Sequence, residues 1–171
     1  PARFLLAGAM NPCPCGNRGH PKQVCRCDEA MIKKYQTKVS GALLDRIDLH
    51  VEVAPLPYGE LRGNLQGDSS EIIRSRVLKA QAIQVKRFQG SKLHSNSQMG
   101  STEIRTHCIL KGKAEKILEE AVKKWGWSAR AYHRILRVAR TIADLAANPE
   151  IKSEHLTEAI SYRALLLGPQ S

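Results

Sequence analysis

Residues 8–27, GAMNPCPCGNRGHPKQVCRC, set four cysteines (Cys13, Cys15, Cys25 and Cys27) as C-x-C, nine residues, C-x-C, in a stretch otherwise rich in proline, glycine and polar side chains. A segment this polar cannot hold itself together by apolar packing. Two close cysteine pairs can supply four thiolates to one tetrahedral Zn2+, whose binding would fold the loop. The usual zinc pairs are C-x2-C, and His20 inside the loop can replace one cysteine. A reduced structural loop and a redox-active cluster are the competing readings. No signal peptide opens the chain, which favours thiols or metal ligands in a reducing, cytoplasmic compartment over disulfides. Cys108 stands apart and reads as a small buried side chain.

The flanking sequence predicts a mixed α/β fold that is mainly α. RFLLAGA, residues 3–9, is an unbroken apolar run stopping at Asn11-Pro12, which predicts a buried strand entering a loop. Polar residues just past such a strand end are well placed for a ligand, and Asn11 is one. Asp28 to Thr37 reads as a short helix. In IDLHVEVAP, Ile47, Leu49, Val51 and Val53 alternate with Asp48, His50 and Glu52, which predicts a second strand ended by Pro55 and Pro57. Composition then turns to Pro, Gly, Asn, Asp and Ser, so the chain divides into residues 1–57, a linker at 58–70, and an all-helical part at 71–171. Ile73, Val77, Ala80, Ile83 and Phe88 mark a helix over 71–89. A polar loop follows at 90–100, and a second helix carries Ala114, Leu118, Ala121 and Trp125. A third starts at Ser128, a good N-cap with Trp127 and Tyr132 as a hydrophobic staple, and stops at Asn148-Pro149. The last runs from near Ser153 to Gly168-Pro169.

The formal charge of +11 and a pI near 9.7 point to polyanions, either nucleic acid or nucleotide phosphates, or else to a basic surface that keeps the protein soluble. Aromatics are 5% of the chain, with no base-stacking platform visible. The longest apolar runs fall far short of the ~20 residues a bilayer crossing needs. Arg130, Arg134 and Arg137 recur at i, i+4, i+7 on the third helix. Arg130 sits in its first turn, where a cation opposes the helix dipole unless an anion is near. Asp45-Arg46-Ile47-Asp48 puts one arginine between two acids at a strand mouth. It is either a simple ion-paired turn or a guanidinium held for a phosphoryl group, as in an arginine finger.

GAMNPCPCG, CRC, SGALLDRIDLHVEV and SARAYHRILRVARTIADL, in this order over most of residues 3–167, resemble the C-terminal half of the magnesium-chelatase-like AAA+ ATPases, the competence-associated bacterial family. The resemblance implies the end of an AAA+ α/β core, two strands with the cysteine loop inserted after the first, followed by an all-α helical lid. It implies that Asn11 is the sensor 1 residue orienting the attacking water. Arg46 would be the arginine finger acting in trans on the neighbouring subunit, and Arg130 the sensor 2 arginine. ATP and Mg2+ would be used by the intact protein, with Zn2+ a candidate in the cysteine loop. The parent would be a ring, expected hexameric, coupling ATP hydrolysis to remodelling of DNA by helicase or branch-migration action. Chelatase relatives act instead as motors on a metal-insertion partner. Neither G-x-x-x-x-G-K-[ST] nor a strand ending in paired acids occurs, so the chain is expected to be a C-terminal fragment, inactive alone. The alternative from another class is a non-enzymatic zinc-and-helix module binding nucleic acid or protein without nucleotide.

Overall fold

The computed structural model describes residues 4–54 and 67–164. Seven α-helices are described: α1 (Glu29–Gln36), α2 (Gly41–Leu44), α3 (Ser70–Arg87), α4 (Ser101–His107), α5 (Lys113–Trp125), α6 (Ala129–Leu145) and α7 (Ser153–Ala164), with a 3-10 turn at Asn96–Gln98. The mainly helical expectation holds. The two strands do not: residues 4–9 and 47–53 carry no regular structure, and no strand occurs among the described residues. Alternation gives a segment two faces, but a strand exists only once a neighbour accepts its N–H and C=O groups. Here no neighbouring strand is described, and Leu5 (95%) and Val53 (86%) stay exposed. The linker expected at 58–70 lies outside the described residues as far as residue 66, as does the end of the last expected helix beyond Ala164.

The core is built around α6. Its start is fixed by Ser128, whose hydroxyl accepts from the Ala131 N–H at 3.3 Å. Ala131, Ile135, Ala139 and Ala143 recur every four residues and are buried, three of them small enough to let a neighbour approach closely. α6 packs on α3, α4, α7 and the 3-10 turn, and α5 packs on α7. Phe88, Met99, Ile104, Leu118, Leu136 and Leu156 fill the space between them. Cys108 is buried as expected, and burial pushes its thiol up to about 11. Gly126, at φ +59°, ends α5, and beyond it Trp127 stacks on Trp125 with ring centroids 4.8 Å apart.

α6 stops at Leu145, before the expected Asn148-Pro149. The N–H of Asn148 returns to the Ala143 carbonyl at 2.8 Å and that of Ala147 to Asp144 at 3.0 Å, with Ala147 at φ +52°. This is a Schellman ending with alanine where glycine is usual. Ala147→Gly is therefore expected to raise stability by about 0.5–1 kcal/mol, read as a higher urea midpoint. A lower midpoint would mean that the left-handed turn is not strained.

α3 departs from the expectation drawn from its apolar spacing. Ala80, Gln84 and the capping Phe88 are buried, but Ile73 and Val77 are exposed, because only the C-terminal half of α3 lies on α6. At that end a polar cluster is enclosed. The Asp144 carboxylate, 0% exposed, accepts from Arg87 (Nη1 2.6 Å, Nη2 2.5 Å), from Arg140 Nε at 3.1 Å and from Asn96 Nδ2 at 2.8 Å. Arg140 also donates to the carbonyls of Asn148 and Pro149, tying the helix ending to the cluster.

Candidate functional site

The cysteine loop is shaped by two glycine turns. Gly16 (φ +80°) closes a turn onto the Cys13 carbonyl at 3.0 Å, and Gly19 (φ +79°) lies within a second turn, in which His20 N–H donates to the Asn17 carbonyl. Asp28 then caps α1, accepting from the Met31 N–H at 2.7 Å, so the short helix forms where the sequence predicts it. The turns bring Cys13, Cys15, Cys25 and Cys27 together, with all four sulfurs within 4.8 Å of one another. Three separations are 3.4, 3.7 and 3.6 Å. A disulfide would need about 2.05 Å. Four sulfurs at ~2.3 Å from one tetrahedral zinc lie about 3.8 Å apart, so the donor set and its spacing fit Zn2+. His20 is not the fourth ligand, because its Nδ1 accepts from the Lys22 and Gln23 N–H groups at 3.1 and 3.0 Å. The Cys15 thiol is drawn down to about 6, chiefly by the Arg26 and Asn17 N–H groups, while desolvation and the neighbouring sulfurs push Cys27 up to about 12. Four thiolates this close need a cation between them. Protein purified without chelator is expected to carry about one zinc per chain by elemental analysis. An ordered loop free of metal would overturn the assignment.

Asn11 lies at the mouth of this loop, exposed, with its amide beside Gly16; a Cβ on that glycine would sit 3.9 Å from Asn11 Cγ. Arg130 is exposed in the first turn of α6. Neither side chain makes a hydrogen bond or ion pair among the described residues, and none joins Asn11, Arg46 and Arg130 to one another.

The surroundings of Arg46 differ from the arrangement that its neighbours in sequence suggest. Asp45 and Asp48 do not brace it. The Asp48 carboxylate accepts from Arg134 of α6 at 2.7 Å, and that of Asp45 from Arg163 of α7 at 2.7 Å. Arg134 also donates to the Arg46 carbonyl, Arg163 to the Ile47 carbonyl at 3.4 Å, and the His50 N–H to the Tyr162 carbonyl at 2.8 Å. The backbone from 45 to 50 is thereby fastened to α6 and α7. The Arg46 guanidinium itself is exposed and unpartnered among the described residues. Arg134, which recurs with Arg130 and Arg137 along α6, is four-fifths buried as a clamp. Sequence reasoning missed the partners because Arg134 and Arg163 lie 86 and 118 residues away from the acids they hold. A cavity of about 250 Å³ is lined by Arg87, His107, Lys111 and Arg140. Its cations are already engaged, Arg87 and Arg140 by Asp144 and Lys111 by Glu150. No described helix is long and apolar enough to cross a membrane.

Comparison with known proteins places this arrangement. Residues 67–163 match the family model described as magnesium chelatase, subunit ChlI C-terminal, and residues 1–61 match that of magnesium chelatase, subunit ChlI. The chain is similar to competence protein ComM of Haemophilus influenzae, 43% identical over 173 residues that cover 97% of the chain and 32% of the relative. Protein YifB of Escherichia coli is 41% identical, over 96% of the chain and 32% of its own length. Rv2897c of Mycobacterium tuberculosis is 33% identical, over 95% and 32%. The chain thus spans about a third of the length of the curated relatives it matches.

Proposed function

Because the chain belongs to the magnesium-chelatase-like, competence-associated family, we propose that it is the C-terminal part of a ring-forming AAA+ ATPase, with residues 1–57 ending the ATP-binding core and residues 71–171 forming its lid. Arg46 acts as the arginine finger on the ATP of a neighbouring subunit, Arg130 as the sensor 2 arginine on the ATP of its own, and Asn11 as sensor 1, orienting the attacking water. The observation that carries the reading is the state of Arg46. Both nearby carboxylates are held by other arginines, so among the described residues no anion pairs with its charge. A planar guanidinium offered in this way suits the charge that develops on a transferring phosphoryl group. ATP and Mg2+ are then required by the intact protein, whose phosphate-gripping motif lies outside this sequence. Cys13, Cys15, Cys25 and Cys27 hold Zn2+ as a structural clip beside Asn11.

The remodelled substrate is DNA in this reading, supported by the charge of +11 and by the likeness to a protein named for competence. The ring is expected to be hexameric and cytoplasmic. A metal-insertion partner, as the magnesium chelatase description of the matching family suggests, is the second reading. The experiment is ATP binding and hydrolysis by the longer protein, wild type against Arg46→Ala. The variant is expected to bind ATP and fail to hydrolyse it. Equal hydrolysis by both would remove the proposal. A DNA-binding module without nucleotide would instead show salt-sensitive DNA binding by this chain alone, indifferent to Arg46 and ATP.

A further inference from the structure

Arg130 and Arg134 lie four residues apart on α6, one turn from each other on the same face. The first is offered to solvent. The second grips the segment that carries Arg46, through the Asp48 carboxylate and the Arg46 carbonyl. From α7, Arg163, only 6% exposed, grips the same segment through Asp45 and the Ile47 carbonyl, and the Tyr162 carbonyl takes the His50 N–H. Five contacts therefore tie residues 45–50 to two helices that pack closely on each other. None of them uses the Arg46 guanidinium.

We propose that Arg134 and Arg163 are positioning residues for Arg46, fastening residues 45–50 to the lid so that a movement of α6 set by Arg130 at one ATP is passed to the arginine offered to the next. This rests on the roles given to Arg46 and Arg130 above. A rigid connection is what the geometry supplies: the backbone on both sides of Arg46 is held by two guanidinium groups and one main-chain hydrogen bond, while its side chain has no partner among the described residues. Two ion pairs with half-exposed carboxylates would hold weakly one at a time. Together with the carbonyl contacts they fix one register of the segment on α6 and α7.

The test has two arms. In this chain, Arg134→Gln is expected to speed amide hydrogen exchange over residues 45–50 by about tenfold while leaving the core of α6 protected. In the longer protein, Arg134→Gln is expected to leave ATP affinity within about twofold and to lower kcat on the order of 10²-fold, the cost of displacing a catalytic group by about 1 Å. The Hill coefficient for ATP should fall towards 1. Asp48→Asn should act in the same direction, and the double variant should fall no further than Arg134→Gln alone, because the contact that Asp48→Asn removes is one of the two that Arg134→Gln removes. Unchanged exchange at 45–50 overturns the clamp. Faster exchange with kcat and cooperativity intact, in a protein that Arg46→Ala inactivates, overturns the positioning role. A fully active Arg46→Ala protein overturns the finger reading and the proposal with it, leaving the exchange result as a purely structural dock.

Discussion

Asp144→Ala is expected to destabilise the folded chain by about 3–5 kcal/mol, the loss seen when one partner of a buried ion pair is removed and the other charge remains. Asp144 is wholly enclosed and is the acceptor for two guanidinium groups and the Asn96 amide. Without it, Arg87 and Arg140, whose side chains are largely buried, would face each other as like charges with no carboxylate between them. A domain of this size has about 5–15 kcal/mol in all, so a change of this kind removes a large share. Urea unfolding of the chain, followed by far-UV circular dichroism, should show the midpoint fall steeply. Replacing Glu119, whose pair with Lys123 is exposed on α5, should leave the midpoint within experimental error. An unchanged midpoint for Asp144→Ala would mean that the cluster does not organise the helical core.

The elements legible in the sequence are those fixed by local chemistry. Ser128 caps a helix because its hydroxyl reaches an N–H three residues on, and Asp28 does the same for α1. The cysteine loop was legible because four thiols in so short a polar stretch leave few alternatives. What escaped depends on partners remote in sequence. Ile73 and Val77 sit at helical spacing, yet periodicity reports that a helix has an apolar face and not what covers it. The alternation from Ile47 to Val53 fails as a strand for the same reason, since its ladder partners are not among the described residues. Asp45 and Asp48 look like supports for Arg46 because they are its neighbours in the chain. Their real partners come from α6 and α7, and no local pattern marks Arg163 as one of them. α4 went unseen because its seven residues, STEIRTH, are mostly polar and follow a Ser-rich loop.

In the longer protein, Arg46→Ala is expected to leave ATP binding nearly normal and to cut hydrolysis by 10³ or more, the range an arginine finger supplies. That factor corresponds to about 4 kcal/mol of transition-state stabilisation lost. The size follows from how Arg46 is held: its backbone is fastened on both sides and its guanidinium has no anionic partner among the described residues, so in the proposed role its charge would already be in place when the phosphoryl group departs. Arg46→Lys should rescue little, because an ammonium cannot reproduce the planar fork. Arg130→Ala should differ in kind, weakening nucleotide binding as well as hydrolysis, since it would act on the ATP of its own subunit.

The trans assignment of Arg46 is tested most directly by mixing. Arg46→Ala subunits are combined with subunits that cannot hydrolyse ATP but keep Arg46, and ATP hydrolysis is measured in rings shown to contain both. Recovery of part of the activity is expected, because the finger of one subunit then meets the intact ATP site of the other. Mixed rings with no recovered hydrolysis would contradict it and leave Arg46 as an exposed residue of a turn docked on α6 and α7.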